Sequence, residues 1–129
     1  PPLPPHSRLV SRYVGPEEQA ELFATADIAV LPYQRSERFG FSGVLATALG
    51  AAKPTIVSDL PGFKEVITSG AVAAVPPDDP DALAGALQNL IDDQRARARL
   101  AAAAADAAAT TYSWSRVAEA TLSVYRSLL

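Results

Sequence analysis

The sequence lacks cysteine and has a single histidine. Without cysteine, the chain can form neither a disulfide nor a thiolate metal site. The one histidine, His6, lies in a proline-rich stretch, where an exposed residue is far more common than a ligand or a general base. We therefore expect no metal site in this chain.

Positive charge is also scarce. Eleven Lys and Arg stand against fourteen Asp and Glu, which gives a formal net charge of -3. Nucleic-acid backbones and anionic lipids attract basic surfaces, so we expect neither as a partner. Arg95, Arg97 and Arg99 cluster beside Asp92 and Asp93 on a helix-like segment, and this mixture is typical of a solvated face rather than a binding patch.

Long apolar runs are missing as well. No run approaches the roughly 20 residues of a transmembrane span, and the first residues lack a signal-peptide pattern. We expect a cytoplasmic protein without a transmembrane segment. A length of 129 residues suits one compact domain that buries about two-thirds of its unfolded surface.

Prolines dominate the start of the chain. "PPLPPH" favours extended polyproline geometry, so we interpret residues 1–7 as a linker or a ragged start ahead of a domain at 8–129. A short ligand for an SH3-type domain is the alternative interpretation of this cluster.

After the prolines, short apolar runs alternate with segments of helical periodicity. This alternation predicts an α/β fold, with a Rossmann-like parallel sheet flanked by helices and with helices at the C-terminal end. The predicted strands are 8–15, 27–33, 54–59 and 71–77. The predicted helices are 17–26, 44–52, 63–69, a segment capped by Asp79, 94–111 and 112–129.

Capping residues and apolar faces refine the helices. Pro16 and Pro80 suit first helical positions, and Asp79 and Ser113 suit N-caps. The helix after Asp79 has an apolar stripe, namely Leu83, Leu87, Leu90 and Ile91. The alanine-rich helix 94–111 offers few large side chains for a core, so we expect it on the surface.

The terminal helix has one apolar face and begins beside the only tryptophan. We expect Trp114 to fix the start of this helix by burying its indole. The apolar face comprises Val117, Thr121, Val124, Tyr125 and Leu128.

Ligands of open parallel α/β sheets bind beyond the carboxyl ends of the strands, where loops lead into helices. Three loops fit, at 15–18, 32–43 and 58–63. The middle loop ends in "FGFSG", where Gly40 and Gly43 permit close backbone approach and Ser42 can cap the next helix. Free amides at such a turn suit a phosphate, although a plain helix cap is the commoner use of this pattern.

Glu37 is the only carboxylate of the middle loop. It is either a solvated residue paired with Arg35 or Arg38, or a carboxylate that binds sugar hydroxyls. The residues alone favour the solvated interpretation.

Several longer motifs are more specific than the glycine turn. "ADIAVLPY", "KPTIVSDLPGFKEVI", "PPDDPDALA" and the "YSW" before the last helix follow one another in order from about Tyr13 to the end of the chain. In these motifs the sequence resembles the C-terminal domain of retaining GT-B glycosyltransferases of family 4, also called group 1. The resemblance implies a nucleotide-diphosphate sugar as donor substrate, no cofactor, and an acceptor-binding N-terminal domain as partner.

The resemblance also implies roles for individual residues. Glu37 matches the family's first glutamate, near the donor sugar, and is the candidate catalytic residue. The loop with Val14, Gly15 and Glu17 would lie near the nucleotide base. The candidates for phosphate or sugar contacts are Phe39, Gly40, Phe41, Ser42, Gly43 and Val44.

The family's second glutamate, which usually binds the ribose, has no equivalent here. Counting forward from Glu37 places Leu45 at this position, and counting back from "KP" places Thr47. A threonine can form a hydrogen bond but cannot offer the two oxygens of a carboxylate.

The beginning of the chain also differs from the family pattern. In the family, a strand, a loop with an arginine and a lysine for the diphosphate, and a helix precede the segment that matches "RLVSRYVG". Residues 1–7 cannot replace them, so we expect a late portion of the donor domain that is inactive on its own. Any peripheral membrane contact would belong to the missing half. The alternatives are a non-catalytic nucleotide-sugar-binding or regulatory module, and a receiver-like or flavodoxin-like module.

Overall fold

A three-stranded parallel sheet forms the centre of the computed structural model, which describes residues 2–35 and 41–129. The strands are β1 (Ala29–Leu31), β2 (Thr55–Ser58) and β3 (Ala73–Val75), in the order β1-β2-β3. Val30 pairs with Ile56, and Val57 pairs with Ala74. Three predicted strands are thus confirmed. Glu37, Phe39 and Gly40 lie outside the described residues.

The predicted strand at 8–15 is wrong. This segment forms no ladder within the described parts of the chain, and Leu9 and Tyr13 are 69% and 84% exposed. Its apolar residues are typical of a strand, but a strand exists only where a neighbouring backbone accepts and donates hydrogen bonds. The sheet offers this segment no such neighbour among the described residues.

Helices connect and follow the strands. They are α1 (Pro16–Thr25), α2 (Gly43–Gly50), α3 (Lys64–Thr68), α4 (Pro80–Asp92), α5 (Gln94–Ala109) and α6 (Trp114–Ser127), with a 3₁₀ turn at Pro61–Phe63. The predicted caps are confirmed: Asp79 Oδ1 accepts from the Ala82 amide at 2.9 Å, and Ser113 Oγ accepts from the Arg116 amide at 3.2 Å.

One face of the sheet packs against α2, α3 and α5. Its fully buried side chains include Leu45, Val57 and Phe63, and α5 contributes Ala104 and Ala107. The predicted surface position of α5 is therefore wrong in part, because one side of this helix packs on α2. Small side chains let two helix backbones approach closely, so alanine serves the core here instead of excluding the helix from it.

The opposite face of the sheet packs against α4. Ile56, Val75 and Leu90 are buried there, with Leu83 and Leu87 partly buried beside them. The predicted stripe of α4 is confirmed except at Ile91, which is 54% exposed. Ile91 follows Leu90 directly and so points about 100° away from the buried side of the helix.

Each residue of helix α6 is exposed, and none is buried in the core. Trp114 is 87% exposed, so the prediction that its indole is buried is wrong. An apolar helix face is buried only where another apolar surface meets it.

Among residues 2–35 and 41–129, no helix is long and apolar enough to cross a membrane.

Candidate functional site

The turn before α2 is held to the end of β1 by two hydroxyl groups. Ser42 caps the helix, as predicted, because its Oγ accepts from the Leu45 amide at 3.3 Å. The hydroxyl of Tyr33, which follows β1, lies 3.0 Å from the same Oγ, and either group can donate. This contact places the first turn of α2 at the carboxyl edge of the sheet, where parallel α/β sheets bind ligands.

Two amides at this turn have no acceptor among residues 2–35 and 41–129. The first intrahelical bond runs from the Ala46 amide to the Ser42 carbonyl, and the Gly43 and Val44 amides have no acceptor in the described structure. A Cβ built on Gly43 meets no atom within 4 Å, so packing does not require glycine there. Free amides beside open space can bind an anion, with the helix dipole assisting.

An aromatic pair joins the glycine turn to the helical layer. The rings of Phe41 and Tyr112 stack with centroids 5.4 Å apart and planes inclined by 27°. The Tyr112 hydroxyl oxygen is buried and has no hydrogen-bond partner within the described residues. Burial raises the pKa of Tyr112, and the nearby charge of Glu65 raises it further.

Sequence reasoning missed this contact between Phe41 and Tyr112. The two residues are far apart in sequence, with β2, β3 and four helices between them, so no periodicity links them. Tyr112 belongs to the "YSW" motif, which indicated the family resemblance but not a contact with the glycine turn.

Leu45 and Thr47, the two candidates for the second glutamate position, differ in their surroundings. Leu45 is fully buried in the core below α2 and cannot contact a ligand. Thr47 is partly buried, and its hydroxyl donates to the Gly43 carbonyl at 3.1 Å. The Thr47 oxygen can still accept a hydrogen bond, so the geometry favours Thr47 for this position.

The loop with Val14, Gly15 and Glu17 leads into α1. Gly15 has extended backbone angles, and a Cβ there would meet open space. Arg12 binds the Glu18 carboxylate through two nitrogens, each at 2.7 Å, and this partner raises the pKa of Arg12. No hydrogen bond or ring contact joins 14–18 to 41–47 in the described parts of the chain.

A cleft of about 310 Å³ lies at the carboxyl edge of the sheet, between the strand ends and the start of α4. Two of the loops predicted at this edge, 32–43 and 58–63, contribute Pro32, Gln34 and Ser58 to the cleft, whereas the contribution of residues 75–83 was not predicted. Its polar lining comprises Gln34, Ser58, Asp78 and Asp79, and its apolar lining includes Pro32, Pro76 and Leu83.

Within residues 2–35 and 41–129, no group of three or more histidine and carboxylate side chains could hold a metal ion.

Comparison with known proteins identifies the family. The sequence profile described as "Glycosyl transferases group 1" matches residues 5–93. The chain belongs to this family. The fold and the motifs that suggested group 1 glycosyltransferases are thereby confirmed at the level of the family.

Individual group 1 relatives align along nearly the whole chain. The phosphatidyl-myo-inositol mannosyltransferase of Mycolicibacterium smegmatis is 32% identical over 124 residues, which are 95% of this chain and 31% of that protein. The glycogen synthase of Mycobacterium tuberculosis is 35% identical over 119 residues, which are 89% of this chain and 28% of that protein. The chain thus spans about three-tenths of the length of these curated relatives.

A solved structure supports the fold. The sucrose-phosphate synthase from Thermosynechococcus elongatus superposes with a TM-score of 0.70 at 27% identity, covering 83% of this chain and 26% of that chain. The parallel sheet with flanking helices is therefore the Rossmann-like architecture of a GT-B glycosyltransferase, as predicted.

Proposed function

We propose that the chain is the nucleotide-sugar-binding part of a retaining glycosyltransferase, which transfers a sugar from a nucleotide-diphosphate donor to an acceptor. Membership of the group 1 family supports this proposal. The relatives are named for mannosyl transfer and for glycogen synthesis, so hexosyl transfer is the reaction class that they favour. An acceptor-binding domain and a cytoplasmic location complete the proposal.

The observation that carries the proposal is the open first turn of α2. The Gly43 and Val44 amides, which have no acceptor in the described part of the chain, lie at the carboxyl edge of the sheet, held there by the Tyr33–Ser42 contact. We assign the donor's phosphates or sugar to these amides. Ser42 caps the helix at this turn, because its Oγ already accepts a hydrogen bond from the Leu45 amide.

The remaining roles follow the family pattern. Glu37 acts near the donor sugar, together with Phe39 and Gly40, and Val14, Gly15 and Glu17 lie near the base. Thr47 accepts one hydrogen bond from the ribose in place of the family's second glutamate. The extended backbone and open surroundings at Gly15 are compatible with a ligand at this loop.

In the reaction, the diphosphate would leave from the sugar face that the acceptor then attacks. Stabilisation of the departing negative charge dominates such chemistry. The α2 amides contribute to it by hydrogen bonding and through the helix dipole. An exposed helix N-terminus gives about 0.3–1 kcal/mol, and a partly buried one up to about 2 kcal/mol.

These contributions are small compared with the free energy that tight nucleotide binding requires. Micromolar binding requires about 8 kcal/mol, so we expect nucleoside diphosphates to bind the 129-residue chain with a Kd of roughly a millimolar. We expect no transfer activity from this chain by itself.

A titration tests the proposal. UDP, GDP and ADP, each with and without its sugar, are added to the ¹⁵N-labelled chain, and the amide shifts are followed. Saturable shifts of Gly43 and Val44 with at least one nucleotide are expected. Shifts of neither amide at about ten millimolar nucleotide would overturn the assignment. Low-micromolar binding would show a complete donor site and contradict the expectation of an incomplete one.

A transfer assay separates the enzyme from a binding module without chemistry. The assay uses a longer polypeptide that carries this chain together with its upstream region. Donor binding without transfer to any acceptor would favour the non-catalytic nucleotide-sugar-binding or regulatory module.

A further inference from the structure

Tyr33 contacts residues of two loops at the carboxyl edge of the sheet. Its ring lies 5.8 Å from the ring of Phe63, centroid to centroid, with the planes inclined by 44°. Phe63 ends the 3₁₀ turn and is fully buried. At the tip of the same side chain, the Tyr33 hydroxyl oxygen lies 3.0 Å from Ser42 Oγ. The contact with a core residue therefore fixes the ring, and the ring fixes where the hydroxyl lies.

The Ser42 hydroxyl has one proton to donate and two positions at which it can accept. The Leu45 amide occupies one of the accepting positions, at 3.3 Å. The contact with Tyr33 is the only other hydrogen bond of this hydroxyl among residues 2–35 and 41–129, and either oxygen can donate in it. Ser42 therefore has two states: it gives its proton to Tyr33, or it accepts the proton of Tyr33 and keeps its own.

The two states offer different groups to a ligand. When Tyr33 donates, both accepting positions of Ser42 are occupied, so the Ser42 hydroxyl can only donate to a further group. When Ser42 donates to Tyr33, its proton is used and it can only accept. A ligand oxygen that carries no proton therefore requires the state in which Tyr33 donates. A phenol is a stronger donor than an aliphatic alcohol, and successive hydrogen bonds polarise one another, so both effects favour the same state.

The proton of Ser42 would join two further donors on the same turn. The Gly43 and Val44 amides have no acceptor in the described part of the chain, and both residues are exposed, so a ligand can reach them. The first turn of α2, which the structure describes in full, carries no acidic side chain that would repel an anion. Three donors on one turn favour a ligand group that offers only acceptors.

We propose that Tyr33 is a positioning residue for the ligand of this turn. Its hydroxyl donates to Ser42 Oγ and thereby directs the Ser42 proton to an unprotonated oxygen of the ligand. Tyr33 acts through Ser42 and does not have to touch the ligand itself. The inference deepens the proposed function and rests on it for the identity of the ligand, which is the nucleotide-diphosphate donor assigned to this turn.

The test compares the ¹⁵N-labelled 129-residue chain with its Tyr33→Phe variant. Both are titrated with inorganic pyrophosphate and with UDP, GDP and ADP, and the Gly43 and Val44 amide shifts are followed. Phenylalanine keeps the ring that packs on Phe63 and loses only the hydroxyl. Affinity should fall about two- to tenfold, the effect of one hydrogen bond. The matched control is Tyr125→Phe, which removes the hydroxyl of an exposed tyrosine on α6 and should bind like the wild type.

A double-mutant cycle separates positioning from a purely structural effect. Ser42→Ala has no proton to direct, so adding Tyr33→Phe to it should leave the affinity unchanged within about twofold. Ser42→Thr keeps the hydroxyl and the helix cap, and it should bind normally with Tyr33 in place but weakly together with Tyr33→Phe. Equal weakening by Tyr33→Phe in the wild-type and Ser42→Ala backgrounds would show that Tyr33 does not act through the Ser42 proton, and would overturn the proposal.

The two kinds of probe distinguish this inference from the proposed function. Nucleotide binding that Tyr33→Phe does not weaken would refute the role of Tyr33 and leave the donor site in place. Pyrophosphate binding that depends on Tyr33, without binding of any nucleotide, would support the role of Tyr33 and count against the proposed function. Absence of Gly43 and Val44 shifts with every probe would overturn both.

Discussion

Phe41 and Tyr112 stack ring on ring, with centroids 5.4 Å apart, and so connect the turn before α2 to the segment between α5 and α6. Phe41 is itself half exposed. Tyr33 holds the next residue, Ser42, from the other side at 3.0 Å. The candidate donor site is thus positioned by two tyrosines that are distant from each other in sequence.

Replacing Tyr112 by alanine should destabilise the fold. Loss of an aromatic pair costs about 0.5–1.5 kcal/mol beyond the lost apolar burial. Urea unfolding measures the change. Tyr125→Ala, on the exposed helix α6, is the control and should alter the free energy of unfolding by less than about 0.5 kcal/mol. Equal losses in the two variants would show that the stack does not stabilise the chain.

Tyr112 should also make stability depend on alkaline pH. Burial, with a contribution from Glu65, raises the pKa of Tyr112 above its ordinary value in the folded chain. Between the unfolded and the folded pKa, the unfolded state has lost the phenolic proton and the folded state keeps it. Stability is therefore retained below about pH 10 and falls as the pH rises above it.

The Tyr112→Phe variant isolates this effect, because it keeps the ring and has no proton to lose. The free energy of unfolding is compared at about pH 9 and about pH 11 in both proteins. The wild type should lose more stability than Tyr112→Phe over this interval. An identical loss in both would mean that the Tyr112 hydroxyl ionises as easily in the folded chain as in the unfolded one.

A carboxylate introduced at position 45 should unfold the chain, whereas one introduced at position 47 should not. Leu45→Glu places a charge in the fully buried core and should unfold the chain, since Leu45→Ala alone should cost about 2–5 kcal/mol. Thr47→Glu should fold, because Thr47 is only partly buried at the helix surface. Thermal unfolding of both variants is the measurement.

The binding of a nucleotide to Thr47→Glu then tests the assignment to the ribose. A carboxylate there should tighten nucleoside-diphosphate binding about five- to tenfold, since a hydrogen bond to a charged group contributes about 1.5–3 kcal/mol and one to a neutral group about 0.5–1.5 kcal/mol. Unchanged affinity in the folded variant would place the ribose elsewhere.

The sequence predicted the elements whose signals are local. Ser42, Asp79 and Ser113 cap helices as expected, because a cap depends on residues within one turn. The three strands of the sheet were visible as short apolar runs between turns.

Features that depend on distant partners were missed. The segment at 8–15 has the composition of a strand but no neighbouring backbone in the described structure, and Trp114 has an apolar ring but no surface against it. Helix α5 was predicted at the surface because alanine is a weak apolar signal, yet Ala104 is fully buried beside α2. The loops 32–43 and 58–63 were predicted at the ligand-binding edge, but the residues after β3 that complete the cleft around Ser58 were not, because only the sheet order brings them there.

Gly43 should be replaceable by alanine without loss of the fold, but not without loss of ligand binding. A Cβ there meets no atom within 4 Å, so alanine can be accommodated at this first helical position. The added methyl group would nevertheless stand beside the amides that we assign to the donor. Gly85→Ala, in the middle of α4 with equally open surroundings, is the control for stability. Calorimetric titration with the nucleotide that binds best should show weaker binding for Gly43→Ala only, and equal binding in both variants would remove this turn from the donor site.

The last prediction concerns Trp114, the only tryptophan of the sequence. Its ring is 87% exposed at the start of α6, a helix with no buried residue. Acrylamide should therefore quench the fluorescence of the folded 129-residue chain nearly as strongly as that of the chain in urea. The amides of α6 should also exchange with solvent faster than those of α2, which is anchored by the buried Leu45 and Leu49. Strong protection of Trp114 from acrylamide in the folded chain would show instead that another surface covers the start of α6 in solution.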